Sequence, residues 1–365
     1  MKIRRMFEKF EPYGWETPSH EIAEKVGLRT EQIIRLDTNT SPYPPMAELM
    51  RLSKDATLLP VNQYPDTTYL DLRKGLAAYC GIDVGRFVVT NGADEGLDII
   101  GKTLLDEGDQ VVVPAPTYAM FRVVPELMGA RVKYVRRRPD DFSIGADEIL
   151  GAVAKGKTKL VFLCNPNSPT GNPMSLKEIA KIAEETDAAI AVDEAYYEFW
   201  GESAVGLTEK YDNLVVCRTF SKAFSMAGVR VGYLAAKRET VHKFNLVRPP
   251  NSLTVVSLMR AEAALRNHEE MRANVRRIVS ERRRVAAALE DLDSVESFPS
   301  TTNFILFRVK GGLAKAERLH QALMKRGFVL RAYSKASGIG DCLRLTIGTR
   351  EMDDGFLTAL RGITR

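Results

Sequence analysis

Arg218-Thr219-Phe220-Ser221-Lys222-Ala223-Phe224-Ser225-Met226-Ala227-Gly228-Val229-Arg230 sets one lysine among small and hydroxyl-bearing residues, with an arginine eight positions downstream. Such a setting suits a buried amine that forms a Schiff base beside a bound phosphate. Thr219, Ser221 and Arg230 offer hydrogen bonds to phosphate oxygens, and a guanidinium offers two at once. Apolar Phe220, Ala223 and Phe224 flank Lys222. Loss of water there lowers the pKa of the amine and leaves it neutral to attack an aldehyde. Taken alone, the stretch also fits a solvated lysine on a helix with an arginine on the same face.

Outward from this stretch, short apolar runs alternate with helical patterns. Leu214-Val215-Val216-Cys217 precedes it and Val231-Gly232-Tyr233-Leu234-Ala235 follows. Upstream, Phe87-Val88-Val89-Thr90, Gln110-Val111-Val112-Val113, residues 159–164 and Ala189-Ile190-Ala191-Val192 read as strands. Runs apolar on both faces belong to a parallel sheet covered on both sides. Helical periodicity is read over 70–79, 97–105 and 175–185, the last with Ser175 as N-cap. The fold class is therefore α/β, a mostly parallel sheet with helices on both faces. Ligands of such sheets bind beyond the carboxyl ends of the strands, where Asp94, Asn167, Asp193 and Lys222 fall. After about residue 255 a long charged helix over 267–292, a strand at 303–307, a helix through Lys325 and strands near Val329 and Leu343 read as a smaller α+β domain. The expected division is an arm over 1–43 packing on the small domain, a large domain over 44–260 and a small domain over 261–365.

Composition narrows the function classes. At 365 residues the chain suggests two domains; 45% hydrophobic and 27% charged residues with a net charge of +5 are ordinary for a globular protein. Arg136-Arg137-Arg138 and Arg282-Arg283-Arg284 read as solvated faces rather than a nucleic-acid surface. Cys80, Cys164, Cys217 and Cys342 are scattered without a CxxC pair, which argues against a disulfide framework or a metal site. Met1-Lys2-Ile3-Arg4-Arg5 is followed by no apolar stretch of signal-peptide length, and no run approaches a membrane span, so a cytoplasmic protein is expected. There is no GxGxxG and no Walker A sequence.

Four further segments carry chemistry. Asn91-Gly92-Ala93-Asp94-Glu95 lies between a strand and a helix, where backbone N–H groups bind phosphate. Ala115-Pro116-Thr117-Tyr118 follows the next strand. Asn165-Pro166-Asn167-Ser168-Pro169-Thr170-Gly171 is a stiff loop that can aim the Asn167 amide at a ligand oxygen, or simply a turn. Asp193-Glu194-Ala195-Tyr196 ends a buried strand, where a carboxylate is costly unless paired. A protonated pyridine nitrogen would pair it; the alternative is a helix N-cap.

In this order the segments resemble the fold type I, class I/II aminotransferases that use pyridoxal 5′-phosphate, and within them most closely the histidinol-phosphate group. The resemblance runs from about Pro12 to Arg350. It implies that Lys222 carries the cofactor as an aldimine and shuttles the substrate's α-proton through ping-pong half-reactions. It implies that Asp193 binds the pyridine nitrogen, that Asn167 and Tyr196 bond the ring oxygen, and that Tyr118 stacks on the ring. Ala93 and Asp94 by their backbone, with Thr219, Ser221 and Arg230, would hold the phosphate. Tyr64, in Asn62-Gln63-Tyr64-Pro65, would reach the phosphate of a neighbouring subunit and make the protein a homodimer with shared sites. Arg344, Arg331 and Tyr13 match substrate-phosphate residues, and Asn39 lies in the arm that covers the substrate.

One segment departs from the family. Asn39-Thr40-Ser41-Pro42 stands where an Asn-Glu-Asn-Pro sequence is usual, which bears on the substrate and not on the cofactor. The implied reaction is amino transfer between histidinol phosphate and 2-oxoglutarate, with no nucleic-acid or membrane partner. The alternatives are an aminotransferase for aromatic or other amino acids, a threonine-phosphate decarboxylase and a non-catalytic cofactor-binding regulator. Residues 1–40 are too short for the DNA-binding domain such regulators carry.

Overall fold

In a computed structural model the structure describes residues 4, 7, 10–14, 16–45 and 62–364; most of Met1–Arg5 lies outside them. The described strands are β1 (Ile34–Leu36), β2 (Phe87–Thr90), β3 (Gln110–Ala115), β4 (Arg131–Arg136), β5 (Thr158–Cys164), β6 (Ala189–Asp193), β7 (Leu214–Thr219), β8 (Gly232–Ala235), β9 (Val295–Ser297), β10 (Phe304–Val309), β11 (Phe328–Ala332) and β12 (Cys342–Thr346). They form two sheets. The larger has the order β2-β8-β7-β6-β5-β3-β4. Its β7, β6, β5, β3 and β4 are parallel, while β8 is antiparallel to both neighbours.

Strand alternation explains why this sheet is covered on both faces. Val112, Val161, Leu163, Ile190, Val192 and Val216 point into one core, and Val111, Val113, Leu160, Phe162, Ala191, Val215 and Cys217 into another. Each fully buried aliphatic side chain contributes about 1.5–3 kcal/mol, so the central strands are the most firmly held part of the molecule. The helix Leu176–Glu185 starts as expected, with Ser175 Oγ accepting from Glu178 N–H.

The smaller sheet has the order β1-β11-β12-β10-β9. Its edge comes from the N-terminal arm: β1 runs parallel to β11, pairing Ile34 with Phe328 and Leu36 with Leu330. The helix Glu269–Glu290 precedes it and Arg350–Thr364 follows it.

Several sequence expectations are corrected. The helix read from residue 97 begins at Gly92, so the whole Gly92-Ala93-Asp94-Glu95-Gly96 turn is its first turn. The run ending in Arg136 contains β4, an edge strand whose outward residues hid it from an apolar-pattern reading. Arg137 is buried and donates to the Phe142 carbonyl. Arg282, also buried, donates to the Thr302 carbonyl. Each run is thus only partly solvated, because a side chain one residue on from an exposed one turns inward.

A close backbone approach ties the larger sheet to the helix Gly92–Leu104. A Cβ on Gly232 would lie 2.6 Å from the Gly92 carbonyl carbon, 2.7 Å from Ala93 N and 2.8 Å from Arg218 O. Backbone cannot step aside as a flexible side chain does. Gly232→Ala is therefore expected to destabilise the protein by about 1–3 kcal/mol. Gly228→Ala, whose methyl meets nothing within 4 Å, should move stability by less than about 0.5 kcal/mol. Thermal unfolding of the two variants beside wild type checks this.

Candidate active site

The carboxyl ends of the parallel strands and the exposed face of the small sheet enclose a cavity of about 450 Å³. Of the expected residues, Tyr13, Asn39, Ala93, Asp94, Tyr118, Asp193, Tyr196, Thr219, Ser221, Lys222, Arg230, Arg331 and Arg344 line it. Two do not. Asn167 is fully buried beside it, its amide oxygen accepting from Thr117 Oγ1 at 2.7 Å and its nitrogen donating to Thr170 Oγ1 at 2.7 Å and Pro116 O at 3.0 Å. Tyr64 stands away from the cavity, 84% exposed.

Lys222 lies in the turn between β7 and β8, not on a helix. Its Nζ donates to the Thr38 carbonyl at 3.3 Å. Burial, with Arg344 adding to it, pushes the amine down to about 8. Half of it is then neutral near that pH, which is the form that attacks a carbonyl carbon.

Asp193 and Glu194 show two treatments of neighbouring buried carboxyls. Glu194 is paired with Arg218 at 2.9 Å and accepts from Ser203 Oγ at 2.8 Å and Ala204 N–H at 2.5 Å. The Arg218 guanidinium also stacks 3.6 Å over the Tyr197 ring. Asp193 receives one hydrogen bond, from Ala195 N–H at 3.0 Å. Burial raises its carboxyl to about 7. A cavity-lining carboxyl left without a cation is matched to a cationic ring nitrogen.

A second corner suits a phosphate. The N-terminus of the helix Gly92–Leu104 presents backbone N–H groups and its dipole there. Thr219 Oγ1 donates to Ser221 Oγ at 2.9 Å, placing two hydroxyls together. Arg230 Nη2 lies 3.4 Å from Asp94 Oδ2, while Asp94 Oδ1 accepts from Tyr118 Oη at 2.8 Å. Gly92 permits this approach: a Cβ there would lie 2.6 Å from Arg230 Nη2. The donor set therefore fits a phosphorylated pyridine aldehyde, with Lys222, Asp193 and this corner around it.

The opposite wall carries two arginines. Arg331 on β11 and Arg344 on β12 are direct cross-strand partners, so both guanidinium groups leave the same face. Arg344 donates to the Asp37 carbonyl at 2.7 Å and Ser168 Oγ at 3.2 Å, and its buried Nε has no hydrogen-bond partner among the described residues. Arg331 lies 3.8 Å from Glu16. The Tyr333 hydroxyl, also on this wall, is buried with no hydrogen-bond partner among the described residues.

Sequence reasoning missed Glu16, Thr38, Ser168, Tyr333 and Thr346. Tyr333 and Thr346 carried a usable signal, because each lies two residues beyond a candidate arginine, Arg331 or Arg344. Thr38 and Ser168 adjoin Asn39 and Asn167, but nothing local says which way their groups turn, and Glu16 comes from a segment distant in sequence.

The fold and this site define an enzyme that transfers amino groups. The sequence matches the family described as aminotransferase class I and II over residues 31–360, and the chain belongs to that family. Its reaction is thus the passage of an amino group from an amino donor to a 2-oxo acid. It is similar to the histidinol-phosphate aminotransferases of Roseiflexus castenholzii, 36% identical over 99% of this chain and 98% of that one, and of Methanocaldococcus jannaschii, 34% identical over 99% and 97%. The fold matches that of histidinol-phosphate aminotransferase from Sinorhizobium meliloti, solved in complex with pyridoxal-5′-phosphate, with a TM-score of 0.89 at 22% identity over 99% of this chain and 98% of that one.

The uncompensated Asp193 gives a pH-dependent stability. An ordinary aspartate ionises near 3.8, whereas the folded protein holds this one near 7. The folded state keeps a proton that the unfolded state has lost, so stability falls as pH rises from about 4 to 7. In cofactor-free protein, Asp193→Asn removes this loss while keeping an oxygen for Ala195 N–H. It should be more stable than wild type above pH 7, by a few kcal/mol, with the difference vanishing below about pH 4. Chemical denaturation across that range measures it.

Proposed function

We propose that this protein is a pyridoxal 5′-phosphate-dependent aminotransferase that moves the amino group of histidinol phosphate to 2-oxoglutarate, acting as a cytoplasmic homodimer. The observation that carries the substrate reading is the opposed pair Arg331 and Arg344. Like charges directly opposite each other destabilise a sheet, and a dianionic phosphate turns that repulsion into attraction. The unpartnered Arg344 Nε and Tyr333 hydroxyl add donors for a third phosphate oxygen. The names of the curated relatives support the same substrate.

When bound, the cofactor supplies a carbonyl carbon that takes up the amino group and a ring that draws off the electrons left behind by the α-proton. The residues of the chain divide the remaining work. Asp193 would pair with the ring nitrogen and keep its proton. Ala93, Asp94, Thr219, Ser221 and Arg230 would hold the phosphate, Tyr118 would pack against the ring, and Tyr196 would donate to the ring oxygen. Lys222 in its neutral form removes the proton from the amine-bearing carbon of the substrate. Arg331, Arg344 and Tyr13 hold the substrate phosphate, so that this carbon lies within reach of Lys222. The Asn167 amide is engaged by Thr117, Thr170 and Pro116 and stiffens the loop that follows β5. An aromatic ring as exposed as Tyr64 supports the dimer, in which it would reach the phosphate corner of the partner.

The test is a comparison of donors on purified holoenzyme. Arg331→Ala and Arg344→Ala should each lower kcat/KM for histidinol phosphate about 10- to 100-fold, since a charge-assisted hydrogen bond contributes roughly 1.5–3 kcal/mol. Unphosphorylated amines should change little. Wild-type protein that uses aromatic amino acids well and ignores histidinol phosphate would overturn the substrate reading, and release of carbon dioxide would point to decarboxylation instead.

A further inference from the structure

The consecutive residues Asp37, Thr38 and Asn39 each bond a residue that lines the cavity. The Asp37 carbonyl accepts from Arg344 at 2.7 Å, the Thr38 carbonyl from Lys222 at 3.3 Å, and Asn39 Nδ2 donates to the Tyr196 hydroxyl at 2.9 Å. Asn39 does this from φ 52°, a left-handed conformation uncommon outside glycine. Its neighbours hold it there. Asn39 N–H donates to Thr346 Oγ1 at 3.0 Å, Thr346 Oγ1 donates to Asn39 Oδ1 at 3.1 Å, and Asn303 Nδ2 donates to the Asn39 carbonyl at 3.0 Å.

The bonds of this chain run in one direction. Thr346 Oγ1 already accepts the backbone N–H, so its own hydrogen is free for Asn39 Oδ1. With the amide oxygen taken by that hydroxyl, the NH2 end faces Tyr196. All four residues are buried: Asn39, Thr346, Asn303 and Tyr196. Water therefore cannot replace a missing partner at low cost.

We infer that Thr346 is a positioning residue for the reaction: through Asn39 it fixes the hydrogen bond that the Tyr196 hydroxyl receives, and so sets how strongly that hydroxyl donates to the ring oxygen of the cofactor. Asn39, which lines the cavity, bonds Tyr196 and Thr346 through its amide. An oxygen that accepts an N–H donates its own hydrogen more strongly. Thr346 shares a face of β12 with Arg344, so one strand carries both the grip on the substrate anion and the prop behind Tyr196.

The inference rests on Tyr196 facing the bound cofactor, and its test is spectroscopic. The visible absorbance of purified holoenzyme is titrated with pH in wild type, Thr346→Val and Thr346→Ser, each also in a Tyr196→Phe background. Losing the Asn39 bond weakens the Tyr196 donor, the anionic ring oxygen is held less tightly, and the midpoint rises. Thr346→Val should raise it by about 0.5 to 1 pH unit, Thr346→Ser should restore it, and in Tyr196→Phe the same change should move it by less than about 0.2. An unmoved midpoint in coloured Thr346→Val protein, or a full shift that persists in Tyr196→Phe, would overturn the role of Thr346. If Thr346→Val does not fold, Asn39→Ala takes its place with the same expected shift and the same overturning results. Wild-type protein with no cofactor band at all would count instead against the cofactor reading beneath it.

Discussion

Two opposite charges kept apart in a dry place are the constraint on which this structure turns. Among the described residues, Asp193 at the end of β6 forms no salt bridge, and Lys222 after β7 has no carboxylate within hydrogen-bonding distance. Each is displaced toward its neutral form by burial. Had the two met in an ion pair, both would be spent. Separated, they leave one acid suited to a ring nitrogen and one amine suited to a carbonyl carbon. The stability this forgoes is supplied by the doubly covered strands that carry them, and adjacent Glu194 shows how the same sheet treats a carboxylate it does not need open.

The second constraint is set by the small sheet. Its β11–β12 register brings Arg331 and Arg344 face to face, and the strand β1 from the arm completes its edge beside them. The segment leaving β1 then returns to the cavity and touches Arg344, Lys222 and Tyr196 in turn. The wall that holds Arg344 and the wall that holds Lys222 and Tyr196 are therefore joined by three consecutive residues, not merely set opposite each other.

Much of this was legible in the sequence, for physical reasons. The strands β5, β6 and β7 are apolar runs that alternate with helical patterns, so their burial and parallel direction follow from the sequence. Lys222, Asp193 and the Gly92–Glu95 turn sit at strand ends, where the topology of such sheets gathers ligand-binding groups. What was not legible depended on contacts distant in sequence or on a single side chain turning inward. Nothing local says that Asn39 reaches Tyr196, that Glu16 meets Arg331, or that the Asn167 amide is taken up by Thr117 and Thr170. The edge strand β4 and the buried Arg137 and Arg282 lie in charged runs, where polarity masks the one inward residue.

The attachment of the cofactor is the most direct measure of this account. Purified protein is treated with borohydride, which fixes a Schiff base irreversibly, then digested and mapped by mass spectrometry. The account predicts one modified peptide, carrying the reduced pyridoxyl phosphate on Lys222, and none from a Lys222→Ala protein. Label on a different lysine, or the same labelling in Lys222→Ala, would contradict it.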